Sequence, residues 1–179
     1  LLLSSDGRSD GSALLADGQR VLELGAGLGL NAICLAARGA SVVATEIEPA
    51  LTALRESLAR NRTCWEAGGG AISAVELRWG EPVQLSQRFD CVVCADVIYS
   101  RPLRPLLLQT LRRHVTEGTN LVLAFEVRGD EHEFVAEAAR TLGMRARRLY
   151  GPVDDIEIHV LDGRSACGAD LEIESFKKY

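Results

Sequence analysis

The chain reads as an α/β fold, a largely parallel sheet with helices packed on both faces, and three observations predict it. From Arg20 onward, short apolar runs of strand length alternate with longer stretches of helical periodicity. Some of those runs are apolar at every position, as in Leu121-Val122-Leu123-Ala124-Phe125, the pattern of a strand covered on both sides. The first run, Val21-Leu22-Glu23-Leu24, closes on Gly25-Ala26-Gly27-Leu28-Gly29-Leu30 and passes at once into Asn31-Ala32-Ile33-Cys34-Leu35-Ala36-Ala37. That is a buried strand, a tight turn and a helix, the arrangement that places a ligand at a helix N-terminus.

The remaining elements follow in order. Val42-Val43-Ala44-Thr45 is the second strand and ends at Glu46. Glu48-Pro49 opens a helix whose apolar stripe is Leu51, Leu54 and Leu58 and which is expected to end at Asn61. Gly68-Gly69-Gly70 marks a loop, residues 71–78 alternate as a third strand, and Trp79-Gly80 follows. The fourth strand, Phe89 to Ala95, stops at Asp96-Val97-Ile98-Tyr99. Arg101-Pro102 and Arg104-Pro105 break the chain into a helix that buries Leu106, Leu107, Leu108, Leu111 and Val115. The fifth strand ends at Glu126-Val127-Arg128. Asp130 and Glu133 have the spacing of a capping box for a helix carrying Phe134, Val135, Ala138 and Leu142, with Gly143 as its stop. Arg145, Arg147 and Arg148 lie on a sixth strand, read as a solvated face near Asp154, Asp155 and Glu157 in preference to a site for RNA or an acidic partner. Ile156 to Leu161 alternates as a seventh strand, and the short connection at Gly151-Pro152-Val153 suits an antiparallel hairpin.

Composition narrows the class. A chain of 179 residues is one domain's worth, and 47% hydrophobic content with a net charge of −5 describes a mildly acidic globule, not a protein that holds nucleic acid by bulk charge. No apolar run approaches the roughly 20 residues of a spanning helix, so no membrane partner is expected. The chain starts at Leu1 without a methionine, which leaves room for an upstream targeting segment; cytoplasmic or nuclear residence is the default expectation. Residues 1–19 form a lead-in around Ala13-Leu14-Leu15, residues 20–162 the domain, and residues 163–179 a C-terminal extension. Five cysteines without secretory features read as free thiols. Cys91 and Cys94 sit three apart on a strand and so face opposite ways, which forbids a shared metal. His114, His132 and His159 show no ligand spacing and are read as surface or helix-end residues.

Two cofactor classes use a glycine turn of this kind. The dinucleotide fingerprint needs glycine at position 30, where the chain has Leu30, and its third glycine comes early, at Gly29. Glu23 beside the turn would repel a pyrophosphate and attract an ammonium group. S-adenosylmethionine (AdoMet) carries both an ammonium and a sulfonium, so a methyl donor is favoured over NAD. A carboxylate at Glu46, ending the next strand, suits the ribose hydroxyls of adenosine; the alternative is a solvated strand end. Trp79 either edges the adenine ring or caps the core.

The residues Val21 through Leu30, Gly39 through Glu46, Asn61, Leu77-Arg78-Trp79-Gly80 and Phe89-Asp90 through Asp96-Val97-Ile98-Tyr99 resemble the motif series of the seven-β-strand, non-SET protein-lysine methyltransferases. The resemblance spans residues 13 to about 162, and the Trp-Gly pair and the D-x-x-Y after strand four are its most specific parts. It implies a Rossmann-like seven-stranded sheet of order 3-2-1-4-5-7-6 with strand 7 antiparallel. It implies AdoMet as cofactor, S-adenosylhomocysteine as product, no metal, and a protein substrate presenting a lysine. Gly25 and Gly27 would contact the methionine end, Glu46 the ribose, and Trp79 and Ala95 the adenine, with Glu23 and Gly29 completing the cofactor set. Asp96 and Tyr99 would border the approach of the target amine, with Glu126 a weaker candidate on the same rim. The chain departs from the family pattern at Arg78, where an aspartate is common, and at Glu46, where aspartate is commoner than glutamate. Residues 1–12 also contain no counterpart of the upstream tryptophan that often completes the cofactor lid. Methyltransferases acting on a small molecule, RNA or another protein side chain share everything up to Gly80, and a non-catalytic AdoMet-binding module would share the cofactor site.

Overall fold

A computed structural model of the chain describes residues 18–83, 85 and 87–164. Ala13-Leu14-Leu15, Cys167 and most of the C-terminal extension lie outside the described residues. A seven-stranded sheet has the order β3-β2-β1-β4-β5-β7-β6. Its strands are β1 (Arg20–Leu24), β2 (Ser41–Glu46), β3 (Ala71–Glu76), β4 (Cys91–Ala95), β5 (Asn120–Glu126), β6 (Met144–Val153) and β7 (Ile156–Arg164). The first five pair in parallel, while β7 runs antiparallel to both β5 and β6. This is the order that the family resemblance implies and the antiparallel hairpin that the short connection predicts.

The helices are α1 (Leu30–Ala36), α2 (Ala50–Arg60), α3 (Arg62–Glu66), α4 (Arg104–His114) and α5 (Glu131–Leu142). Strand alternation divides the core into two layers. Val21, Val42, Cys91, Val93, Val122 and Val160 face α1 and α2, where Ala32, Ala36, Leu51, Leu54 and Leu58 meet them. Leu22, Leu24, Val92, Cys94, Leu121 and Leu123 face α4 and α5, against Leu107, Leu111, Phe134 and Val135. Cys91 and Cys94 thus belong to opposite layers, and burial drives both thiols up, Cys91 to about 12. Neither is available as a thiolate at neutral pH.

The helix that carries Leu51, Leu54 and Leu58 ends where expected, with Asn61 as its C-cap and its side chain turned back to the Ser57 carbonyl at 2.8 Å, and a further short helix, α3, follows. Three expectations need correction. Leu106 is not buried with the other leucines of α4; it is 41% exposed. The Asp130–Glu133 capping box is absent, because ion pairs to Arg101 and Arg104 take the Asp130 carboxylate at 2.9 Å each. Glu131 supplies the side-chain acceptor instead, taking the N–H groups of Arg128 and Gly129 at 2.9 and 2.7 Å. His159 is neither at the surface nor at a helix end; it is fully buried on β7, stacked on Phe125 with ring centroids 5.2 Å apart. The tertiary fold brings it together with residues distant in sequence. His132 and His159 both donate from Nε2 to Glu157 Oε2, at 2.9 and 2.6 Å, and Arg148 donates to Oε1 at 3.2 Å. Burial alone would raise the Glu157 carboxyl, but the two imidazoles outweigh it and hold it below its ordinary range. The arginines of β6 do form a salt-bridged face, with Arg145 and Arg147 on Asp162 and Arg148 on Glu157.

Candidate active site

Register sets the rim of the sheet. Leu24 lies beside Thr45 and Cys94, and Ala95 beside Ala124, so the chain leaves β1, β2, β4 and β5 at one level. Chain order reverses between β1 and β4, which makes their carboxyl ends the topological switch point where open α/β sheets hold ligands. Gly25, Glu46, Asp96 and Glu126 therefore share one edge.

The glycine turn is shaped by three different demands. A Cβ on Gly25 would stand 2.8 Å from Val97 and 3.4 Å from the Trp79 ring, so the turn lies directly against that tryptophan. On Gly29, at φ +80°, it would meet Leu54 at 2.7 Å and Leu58 at 3.1 Å; this glycine lets α1 start close against α2. At Gly27, also at positive φ, it would meet nothing within 4 Å. Open space above a bent, donor-rich backbone is what a ligand needs.

Beneath the turn lies Glu23, only 1% exposed. Its Oε1 accepts from Asn31 Nδ2 at 3.0 Å, whereas Oε2 is buried with no hydrogen-bond partner. Burial pushes this carboxyl up to about 7, assisted by the nearby Glu46 and opposed by Asn31 and the Ala32 N–H. Glu46 is half-buried at the end of β2 and is also raised, chiefly by burial. A buried acid with an unused oxygen and a second, half-buried acid near it suit a cation or a set of N–H and O–H donors.

Trp79 is half-buried and packs on the core layer of α4 and α5. The loop after it is tied to α4: Thr110 Oγ1 accepts from the Gly80 N–H at 2.9 Å, and Arg113 donates to the Gly80 and Glu81 carbonyls at 3.0 and 2.9 Å. Arg78, in place of an aspartate, points to Glu81 at 3.5 Å. Ala95 is half-buried at the end of β4.

Asp96 takes the left-handed backbone conformation, φ +52°, held by its N–H to the Ala124 carbonyl at 2.8 Å. Asp tolerates this conformation better than most residues, and the bend turns its carboxylate along the rim. Arg128 meets it there, Nη1 to Oδ1 at 2.7 Å and Nη2 to Oδ2 at 3.4 Å, and also reaches Glu126 Oε2 at 2.6 Å. Tyr99 is 62% exposed on the same segment.

Sequence reasoning missed Arg104 and gave Arg128 no role. Arg104 is buried; its Nε donates to the Ile98 carbonyl at 2.8 Å, and it pairs with Asp130 at 2.9 Å and Glu131 at 3.3 Å. It thereby ties the Asp96–Tyr99 segment to the start of α5. A signal existed: Arg104, Leu107, Leu111 and Val115 continue one helical stripe, and an arginine on a buried stripe requires an acid opposite.

Comparison with known proteins agrees with this architecture. A family model described as Lysine methyltransferase matches residues 3–140. The Protein N-lysine methyltransferase METTL21A of Danio rerio is 40% identical over 108 residues, covering 59% of this chain and 48% of that protein. EEF1A lysine methyltransferase 3 of Mus musculus is 32% identical over 114 residues, covering 63% and 47%. The chain thus spans about half the length of these relatives. Among solved structures, a methyltransferase from Pyrococcus furiosus superposes with a TM-score of 0.64 at 19% identity, over 82% of this chain and 75% of that one. The glycopeptide N-methyltransferase MtfA complexed with sinefungin gives 0.63 at 18%, over 86% and 89%. At those identities the superpositions speak for the fold alone. With the family match extending over well more than half of its residues, the chain belongs to the lysine methyltransferase family.

Proposed function

We propose that this chain binds AdoMet at the rim of β1, β2 and β4 and transfers its methyl group to the side-chain amine of a lysine in a protein substrate. The observation that carries the reading is the buried, half-satisfied Glu23 carboxylate beneath a glycine turn that leaves open space at Gly27, with Asp96 on the adjoining strand end. The residues present fit the cofactor. Glu23 attracts its ammonium, Gly25, Gly27 and Gly29 shape the turn around its methionine end, Glu46 accepts from the ribose hydroxyls, and Trp79 and Ala95 border the adenine.

When bound, AdoMet supplies an electrophilic methyl group on a cationic sulfur. The protein's task is to align a neutral amine with it and to exclude water. Lysine in water is protonated up to pH of about 10.4, so the amine must lose its proton before attack. Asp96, with a 60% exposed side chain, receives the ammonium and passes its proton to solvent. Tyr99 forms a wall of the approach and limits hydration of the freed amine. The relatives' names, which specify protein lysines and EEF1A lysine, support a protein-borne acceptor.

Incubation of the chain with labelled AdoMet and a lysate lacking its activity, followed by mass spectrometry, is expected to find methylated lysine in a protein. Label confined to RNA or small molecules would refute the substrate class. Failure of S-adenosylhomocysteine to bind in calorimetry would refute the cofactor assignment.

A further inference from the structure

Arg128 is the one residue that touches both rim acids among the described residues. Its guanidinium holds Asp96 through both carboxylate oxygens and Glu126 through a third contact, drawing the ends of β4 and β5 onto one cation. The root of this side chain is fixed. The N–H groups of Arg128 and Gly129 both donate to buried Glu131, which Arg104 holds in turn, and the Val127 N–H donates to the Asp155 carbonyl at 2.7 Å. Its head is not fixed in the same way: Arg128, Asp96 and Glu126 are 41, 60 and 50% exposed. Exposed ion pairs are weak and screened by salt. The result is an anchored backbone carrying a displaceable cation.

We propose that Arg128 fills the subsite of the acceptor ammonium and that the target lysine enters by displacing it, so that Arg128 selects protein-borne lysines over free amines. The inference rests on the reading of Asp96 as the acceptor-side acid. Exchange of one monovalent cation for another leaves the charge of the two acids balanced as before. A guanidinium stays protonated at all working pH values and its nitrogen lone pairs are delocalised into the cation, so the occupant is a poor nucleophile toward a methyl donor. A small amine must displace it with only its own charge. A lysine on a protein surface brings further contacts that offset the displacement.

The test is an NMR titration of N-acetyl-lysine methylamide into the chain, with and without S-adenosylhomocysteine, for wild type, Arg128→Gln and Arg101→Gln. Arg101 pairs with Asp130 and touches neither rim acid, so it controls for simple loss of positive charge. Arg128→Gln is expected to lower Kd about two- to five-fold, with a smaller gain at high salt, while Arg101→Gln leaves Kd near wild type. An unchanged or higher Kd in Arg128→Gln, or an equal gain in Arg101→Gln, would overturn the proposal. Methyl transfer to the same probe, read in parallel, separates the two readings. Tighter binding without any transfer would sink the enzymatic reading and keep the displaced arginine, whereas transfer without tighter binding would do the reverse.

Discussion

Glu23→Gln turns the cofactor site into a measurable stability effect. In the folded chain the Glu23 carboxyl rises from an ordinary 4.5 to about 7, first because it is buried. A carboxyl raised on folding binds more protons in the native state than in the unfolded one between those two values. Stability therefore falls as pH rises from about 4.5 to about 7 and stays reduced above that window. At about 1.4 kcal/mol per tenfold, the full penalty is about 3 kcal/mol. Glutamine removes the charge and keeps an acceptor for Asn31, but it places an amide N–H₂ where Oε2 has no partner, at a cost of about 1–3 kcal/mol at any pH. That constant cancels when two pH values are compared. Urea unfolding at about pH 5 and about pH 8.5 should show the variant gaining about 2–3 kcal/mol on wild type between them, or about 5–10 °C in Tm. AdoMet affinity should move the opposite way, falling sharply in Glu23→Gln, and in wild type weakening as pH drops below about 7 where Glu23 takes up its proton. A stability difference identical at both pH values would show that Glu23 carries no buried charge, and the account of ammonium attraction would go with it.

Four other substitutions probe different parts of the molecule. Asp96→Ala should abolish methyl transfer while changing S-adenosylhomocysteine affinity in calorimetry by less than about tenfold; persistent turnover would remove Asp96 from its proposed role. Arg104→Met leaves Glu131 buried without its cation and should cost about 3–5 kcal/mol in urea unfolding; a loss under about 1 kcal/mol would show that the Arg128 and Gly129 N–H groups hold Glu131 without it. Gly29→Ala forces a methyl group to within 2.7 Å of Leu54 in a left-handed backbone and should destabilise the chain by about 2–4 kcal/mol, whereas Gly27→Ala, which meets open space, should cost less stability and more cofactor affinity.

Much of the site could be read before the fold was known because its parts are local. A strand that must be buried on both faces declares itself by unbroken apolar residues, and the turn after it declares itself by glycine. Glu23, Glu46, Asp96 and Tyr99 were candidates by position, as polar residues at or near the ends of such strands, and by the family resemblance. What Glu23 does was only half visible: the sequence showed a carboxylate near the turn, and the structure shows that one of its oxygens has no partner.

The amino-acid order by itself determined the succession of strands and of every helix but α3, the antiparallel hairpin of β6 and β7, and the opposite facing of Cys91 and Cys94, since each depends on periodicity or on connection length. Only the tertiary structure decided which charges meet. Asp96 and Arg128, Arg104 and Glu131, and His132 and Glu157 are separated by 32, 27 and 25 positions; the first pair joins the loops after β4 and β5, the others join α4 to α5 and α5 to β7. Local propensity carries no information across such gaps. Asp96 meets Arg128 because parallel β4 and β5 end at one level. The other two pairs form because α5 packs back beside α4 and β7, and because Glu131 and Glu157, drawn out of water by that packing, are stable only beside opposite charge or donors.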